Sequence, residues 1–184
     1  MASWISRNTP VPAGTSPYDW SSATKFECTW YAYYRVQEGS GLAEPPCWYS
    51  GSGSSGIGLY TNAKDWLDHY RDPWQVIPVQ QFYKCKAGDI IVFTGNYGHV
   101  VVVEKVNADG TLCVSDYNLI GGTHTFGYKT DYRYPERIIG ASISTGACIG
   151  VLHNPNITTN IARYISAISK NRRKRKRYNN YVKL

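Results

Sequence analysis

The 184-residue chain has no apolar run near the ~20 residues that cross a bilayer as a helix, which excludes a conventional membrane span. Residues 1–20 lack a charged start followed by an apolar stretch, so no secretory leader is expected. The expected product is made without a signal peptide in a cytoplasm and carried to its place of action by another agent. No Cys-x-x-Cys pair occurs, and no histidine stands at a ligand spacing from a cysteine, so no zinc site and no metal or other cofactor is expected. Leucine is scarce, methionine occurs once, and the last fifteen residues contain no acid.

Hydrophobic residues make up 42% and aromatics 14%, with 16 Tyr and 6 Trp, enough for one buried core. This balance, with 17 Gly, predicts a sheet-rich and loop-rich domain. The net charge of +7 is uneven: Lys170, Arg172, Arg173, Lys174, Arg175, Lys176, Arg177 and Lys183 supply eight of the 20 cations. The rest of the chain carries 12 basic and 13 acidic residues and is close to neutral. The basicity therefore belongs to a tail suited to an anionic wall polymer, a lipid surface, a virion partner or an assembly end. Only Tyr178 and Tyr181 interleave with it, so a nucleic-acid partner is not the favoured reading.

The chain divides into an extended arm over residues 1–17, a folded domain over 18–153, and a C-terminal helix with the basic tail over 154–184. A helix is expected from Ser21 to about Gln37, with Cys28 near its start, where macrodipole and free N–H groups favour a thiolate. The Gly/Ser/Pro-rich stretch 39–58 reads as a loop, with Trp48 and Tyr49 either lining a cleft or packing beneath it. A second helix is expected from Asn62 to about Tyr70, and a short amphipathic one from about Thr159 to Ser169. From Lys86 the pattern turns to strands: Ile90–Phe93, His99–Val106 and Thr111–Asn118, with turns at Gly95-Asn96-Tyr97-Gly98 and Ala108-Asp109-Gly110. Further strands are expected at Arg137–Gly140 and Gly150–Leu152.

Five cysteines leave at least one thiol free, and Cys113 reads as a small buried hydrophobe in its strand; Cys47 is not expected in a disulfide. Cys28, His99 and then Asp116 or Asn118 follow in the order of a thiol nucleophile, its base, and the group that orients the base. In an antiparallel meander the start of the His99 strand meets the end of the next, where Asp116 and Asn118 differ by two and share a face. His69, His124 and His153 lack such a setting. Glu104 lies at odd offset from His99 and is expected to face away from it.

Cys28-Thr29-Trp30-Tyr31 with Arg35, Lys86-Ala87-Gly88-Asp89-Ile90, Gly98-His99-Val100-Val101-Val102-Val103-Glu104, and Ser115-Asp116-Tyr117-Asn118 together resemble the CHAP family, the cysteine, histidine-dependent amidohydrolases and peptidases. The resemblance covers roughly residues 18 to 152. It implies an α+β, papain-like fold, with N-terminal helices packed on an antiparallel sheet. It also implies a peptidoglycan hydrolase that cleaves wall-peptide amide bonds, as endopeptidase or N-acetylmuramoyl-L-alanine amidase. Action at the bacterial cell wall as a phage endolysin or tail-associated lysin is the leading expectation. A non-catalytic wall-binding module is the alternative. By matching positions Cys28 is the nucleophile, His99 the base, Asp116 its orienting group and Asn118 an assistant. Glu is the commoner residue in place of Asp116, so the orienting role could fall to Asn118. Some members bind calcium through aspartates ahead of the nucleophile; only Asp19 lies there, and no such site is expected.

Overall fold

In the computed structural model the residues described are 2–3, 6, 28–40, 62–122, 125–140 and 144–158. Among these residues one α-helix, α1 (Cys28–Ser40), lies against an antiparallel sheet of six strands. The strands are β2 (Gln75–Ile77), β3 (Ile90–Phe93), β4 (His99–Val106), β5 (Leu112–Tyr117), β6 (Phe126–Tyr132) and β7 (Cys148–His153), in the spatial order β2-β7-β3-β4-β5-β6. A separate parallel pair joins β1 (Ala2–Ser3) to β8 (Ile157–Thr158). The expected α+β architecture, a helical N-terminal part packed on an antiparallel sheet, is what the chain adopts.

The sequence of α1 explains its seat. Cys28, Tyr31, Ala32, Arg35, Val36 and Gly39 recur at three- and four-residue intervals and form its buried face. Every residue of β3 and the first six of β4 are buried, so these strands are covered on both faces. Period two sorts their side chains: Ile90, Val92, Val100 and Val102 join the cluster containing α1, whereas Ile91, Phe93, Val101 and Val103 join a second cluster with Leu112, Val114, Tyr132 and Ile138.

The meander from β3 to β5 follows expectation, with Phe93 opposite His99 and Val102 opposite Ser115. Two elements differ. The segment expected as a helix from Asn62 is a 3-10 helix, Ala63–Leu67. The Asp65 carbonyl, which an α-helix would give to the residue-69 N–H, accepts instead from the Asp68 N–H at 3.1 Å and the His69 ring at 3.0 Å. Arg137–Gly140 is not a strand; Ile139 makes an isolated bridge to Ser144. Thr145 takes the place of a partner strand, its Oγ1 accepting from the Ile138 N–H at 3.0 Å and its own N–H donating to the Ile138 carbonyl at 2.9 Å. A second 3-10 helix, Val79–Lys84, lies between β2 and β3. The start of the first expected helix, the loop with Trp48 and Tyr49, Cys47, Asp19, His124, the helix from about Thr159 and the basic tail lie outside the described residues.

Candidate active site

Cys28 is the first described residue of α1 and is buried. His99 opens β4, placed by Gly98. That glycine adopts φ +74°, and a side chain there would run into the backbone of Lys64. Glycine before the histidine is therefore required twice, by the turn and by the close approach.

The His99 Nε2–H donates to Asp116 Oδ2 at 2.7 Å, and Asp116 is fully buried on β5. With Nε2 committed, Nδ1 is left to face the Cys28 thiol. Burial alone would lower the basicity of His99. The Cys28 thiolate and the Asp116 carboxylate overcome it, and the imidazole is pushed up to about 10. Asp116 is held in turn: the Ile120 N–H lies 3.3 Å from both its oxygens, and Gly127, opposite it on β6, leaves no room for a Cβ beside Oδ1.

The structure thus brings Cys28, His99 and Asp116 together. Asn118 lies one residue beyond β5 with φ 83°, its N–H donating to the Thr125 carbonyl at 3.2 Å. The bond to the His99 ring comes from Asp116, which does not need the extra methylene of Glu to reach it. His69 and His153 stand elsewhere; His153 Nδ1 meets Asp89 Oδ1 at 2.7 Å.

A second set of residues ties α1 to the sheet, and sequence reasoning did not assemble it. Arg35 Nε and Nη2 donate to the two oxygens of Glu104 at 2.8 and 2.7 Å, a bidentate pair with both side chains buried. Ser115 Oγ donates to Glu104 Oε1 at 2.6 Å and accepts from the Tyr31 hydroxyl at 2.8 Å. Tyr31 and Arg35 lie one and two turns beyond Cys28, and Ser115 precedes Asp116. The network fixes the helix that carries the thiol against the strand that carries the carboxylate. Its signal was present in the sequence: an acid inside a valine-rich strand needs a buried cation, and Arg35 lies on the helix face that also holds Cys28.

Among the described residues no group of three or more His, Cys, Asp or Glu side chains is placed to hold a metal ion. No described helix is long and apolar enough to cross a membrane.

The CHAP domain family matches residues 17–118, more than half of the chain. Similar curated proteins come from staphylococci. One is the Probable autolysin SsaALP of Staphylococcus aureus, 31% identical over 110 residues, 58% of this chain and 34% of that protein. Another is an N-acetylmuramoyl-L-alanine amidase domain-containing protein of the same species, 31% identical over 99 residues, 52% of this chain and 14% of its own length. A third is N-acetylmuramoyl-L-alanine amidase sle1 of Staphylococcus saprophyticus, 29% identical over 124 residues, 66% and 31% of the two chains. The matches span about a third or less of these relatives' own lengths. No solved structure gives a significant match. The matched stretch runs from just before α1 to just past β5 and so contains the cysteine, the histidine and the carboxylate: the chain belongs to the CHAP domain family.

Proposed function

We propose that the protein is a peptidoglycan hydrolase that cuts amide bonds of the wall peptide by thiol chemistry. The observation that carries this reading is the His99 imidazole, bonded to buried Asp116 on one nitrogen and left to Cys28 on the other. The intact set of Cys28, His99 and Asp116 argues against a wall-binding module without catalysis. The family assignment and the names of the relatives, autolysin and N-acetylmuramoyl-L-alanine amidase, support the same substrate.

The reaction is acyl transfer. The Cys28 thiolate attacks the peptide carbonyl carbon and the carbonyl electron pair moves to oxygen. The Cys28 backbone N–H, with a second donor, would hold that oxyanion, worth about 3 kcal/mol for one donor. Imidazolium His99 gives its Nδ1 proton to the leaving amine as the C–N bond breaks, leaving a thioester. Neutral His99 then takes a proton from water, hydroxide adds to the thioester, and the thiolate departs. Asp116 keeps the ring oriented and its charged form stabilised throughout. The same chemistry serves a muramoyl-alanine amidase, a stem-peptide endopeptidase, a phage endolysin, a tail-associated lysin and a bacterial remodelling enzyme.

Digestion of purified Gram-positive peptidoglycan beside Cys28→Ala tests the proposal. New amino termini, read by mass spectrometry and missing with the variant, are expected, and their masses distinguish amidase from endopeptidase. Intact walls after treatment with folded wild-type protein would remove the hydrolase reading.

A further inference from the structure

A pocket of about 380 Å³ opens between β2, the second 3-10 helix and the end of β7. It lies at the opposite end of the sheet from the thiol site. On β3, Phe93 pairs with His99 at one end, whereas Ile90 pairs with Leu152, next to His153, at the other. Three residues of strand, roughly 10 Å, separate the two rows.

The chemistry of its lining is one-sided. Lys84, Lys86 and His153 line it together with Gln75 and Gln81, and among the described residues no carboxylate lines it. Two of these groups already have hydrogen-bond partners within the protein. Lys84 Nζ donates to Gln81 Oε1 at 2.6 Å and stands 5.9 Å from the centre of the Tyr83 ring, which is 76% exposed. His153 is fixed by Nδ1 against Asp89, which leaves Nε2 to the pocket. Asp89 itself is buried behind the lining and also accepts the Lys86 backbone N–H at 2.7 Å.

The cluster Cys85, Asp89 and His153 invites a second thiol centre, but the electrostatics exclude it. Burial, and then the neighbouring Asp89 charge, push the Cys85 thiol well above its ordinary range, so it stays a neutral donor to Asp89. The site can bind and cannot attack. Two ammonium groups, amide donors and an imidazole nitrogen suit a compact oxyanion, and the exposed Tyr83 ring offers a stacking face to a polyol or sugar beside it.

We propose that this pocket is a second binding site, for the phosphodiester groups of an anionic wall polymer, which seats the protein on the wall while the thiol site works at the other end of the sheet. The choice of a wall polymer rests on the hydrolase reading; the anion chemistry stands on the pocket alone.

The test is residue-resolved NMR of the full-length ¹⁵N-labelled protein titrated with poly(glycerol phosphate) and, separately, with inorganic phosphate. The expected result is a saturable shift of the Lys84, Lys86 and His153 signals with the polymer. The double variant Lys84→Gln/Lys86→Gln should weaken it roughly tenfold, since each cation near a polyanion contributes separately. Turnover of soluble wall peptide by that variant should match wild type. No polymer shift at these residues, or a shift unchanged in the double variant, overturns the proposal. A response to inorganic phosphate without one to the polymer overturns the polymer assignment. Pocket shifts in a protein that cuts no wall peptide would instead count against the hydrolase reading alone.

Discussion

In the proposed mechanism, Asp116 is the residue that orients and charges the base. It is fully buried, bonded to His99 at 2.7 Å, and it helps to hold the imidazole at about 10. Asp116→Asn removes the charge and keeps the shape. Turnover should fall about 10²-fold. The high-pH limb of the activity profile reports loss of the His99 proton; in wild type it should lie near 10, and in Asp116→Asn it should move down, because a neutral amide no longer favours the imidazolium. A profile of kcat against pH in both proteins checks the direction, and an unmoved limb would contradict the assigned role. Gly127 supplies a second test: a methyl there meets Asp116 Oδ1 and Ile120, so Gly127→Ala should lower turnover while costing about 1–3 kcal/mol of stability by overpacking. That Cys28, His99 and one of Asp116 and Asn118 would lie together was legible in the sequence, because order and strand alternation bring those positions to one place. The choice between Asp116 and Asn118 was not, since both share a parity and only the left-handed turn at Asn118 and the buried bond to Asp116 separate them.

At the scale of elements, α1 and the meander from β3 to β5 could be read from periodicity alone, as the buried face of Cys28, Tyr31, Ala32, Arg35 and Val36 illustrates. What periodicity does not show is how one element is locked to another. The Arg35–Glu104 pair joins residues 69 apart in sequence, and Ser115 and Tyr31 complete it from two further positions. Glu104→Ala leaves a buried guanidinium without its bidentate partner and should cost about 3–5 kcal/mol in denaturant unfolding, whereas replacing both Arg35 and Glu104 by apolar residues of similar volume should cost much less. Equal losses in the two variants would mean that the pair's electrostatics are not what matters there. The 3-10 helix at Ala63–Leu67 and the loop at Arg137–Gly140 escaped sequence reading for a related reason. In each, a side chain, His69 or Thr145, takes a backbone bond that a regular element would have used, and propensity is blind to that substitution.

For the whole molecule, charge is divided by place. A near-neutral stretch over residues 1–169 is followed by eight cations from Lys170 to Lys183. Deleting residues 170–184 should lower binding to purified walls and reduce its dependence on salt, while turnover on soluble fragments stays the same. Wall binding that is unchanged across a salt series would remove the tail from the account. The division was plain in the sequence because charge needs no fold to be counted, whereas the cationic pocket beside His153 is assembled from β2, a 3-10 helix and β7 and has no linear signature. The central claim is that Cys28 becomes acylated when wall peptide is cut. Acid-quenched intact-protein mass spectrometry during turnover of a soluble wall peptide tests this most directly. The account predicts a transient adduct of the acyl fragment, mapped to Cys28, sensitive to hydroxylamine and missing in Cys28→Ala. Continued cleavage by Cys28→Ala, or turnover with no thioester at any time point and an adduct-free Asp116→Asn variant, would contradict it.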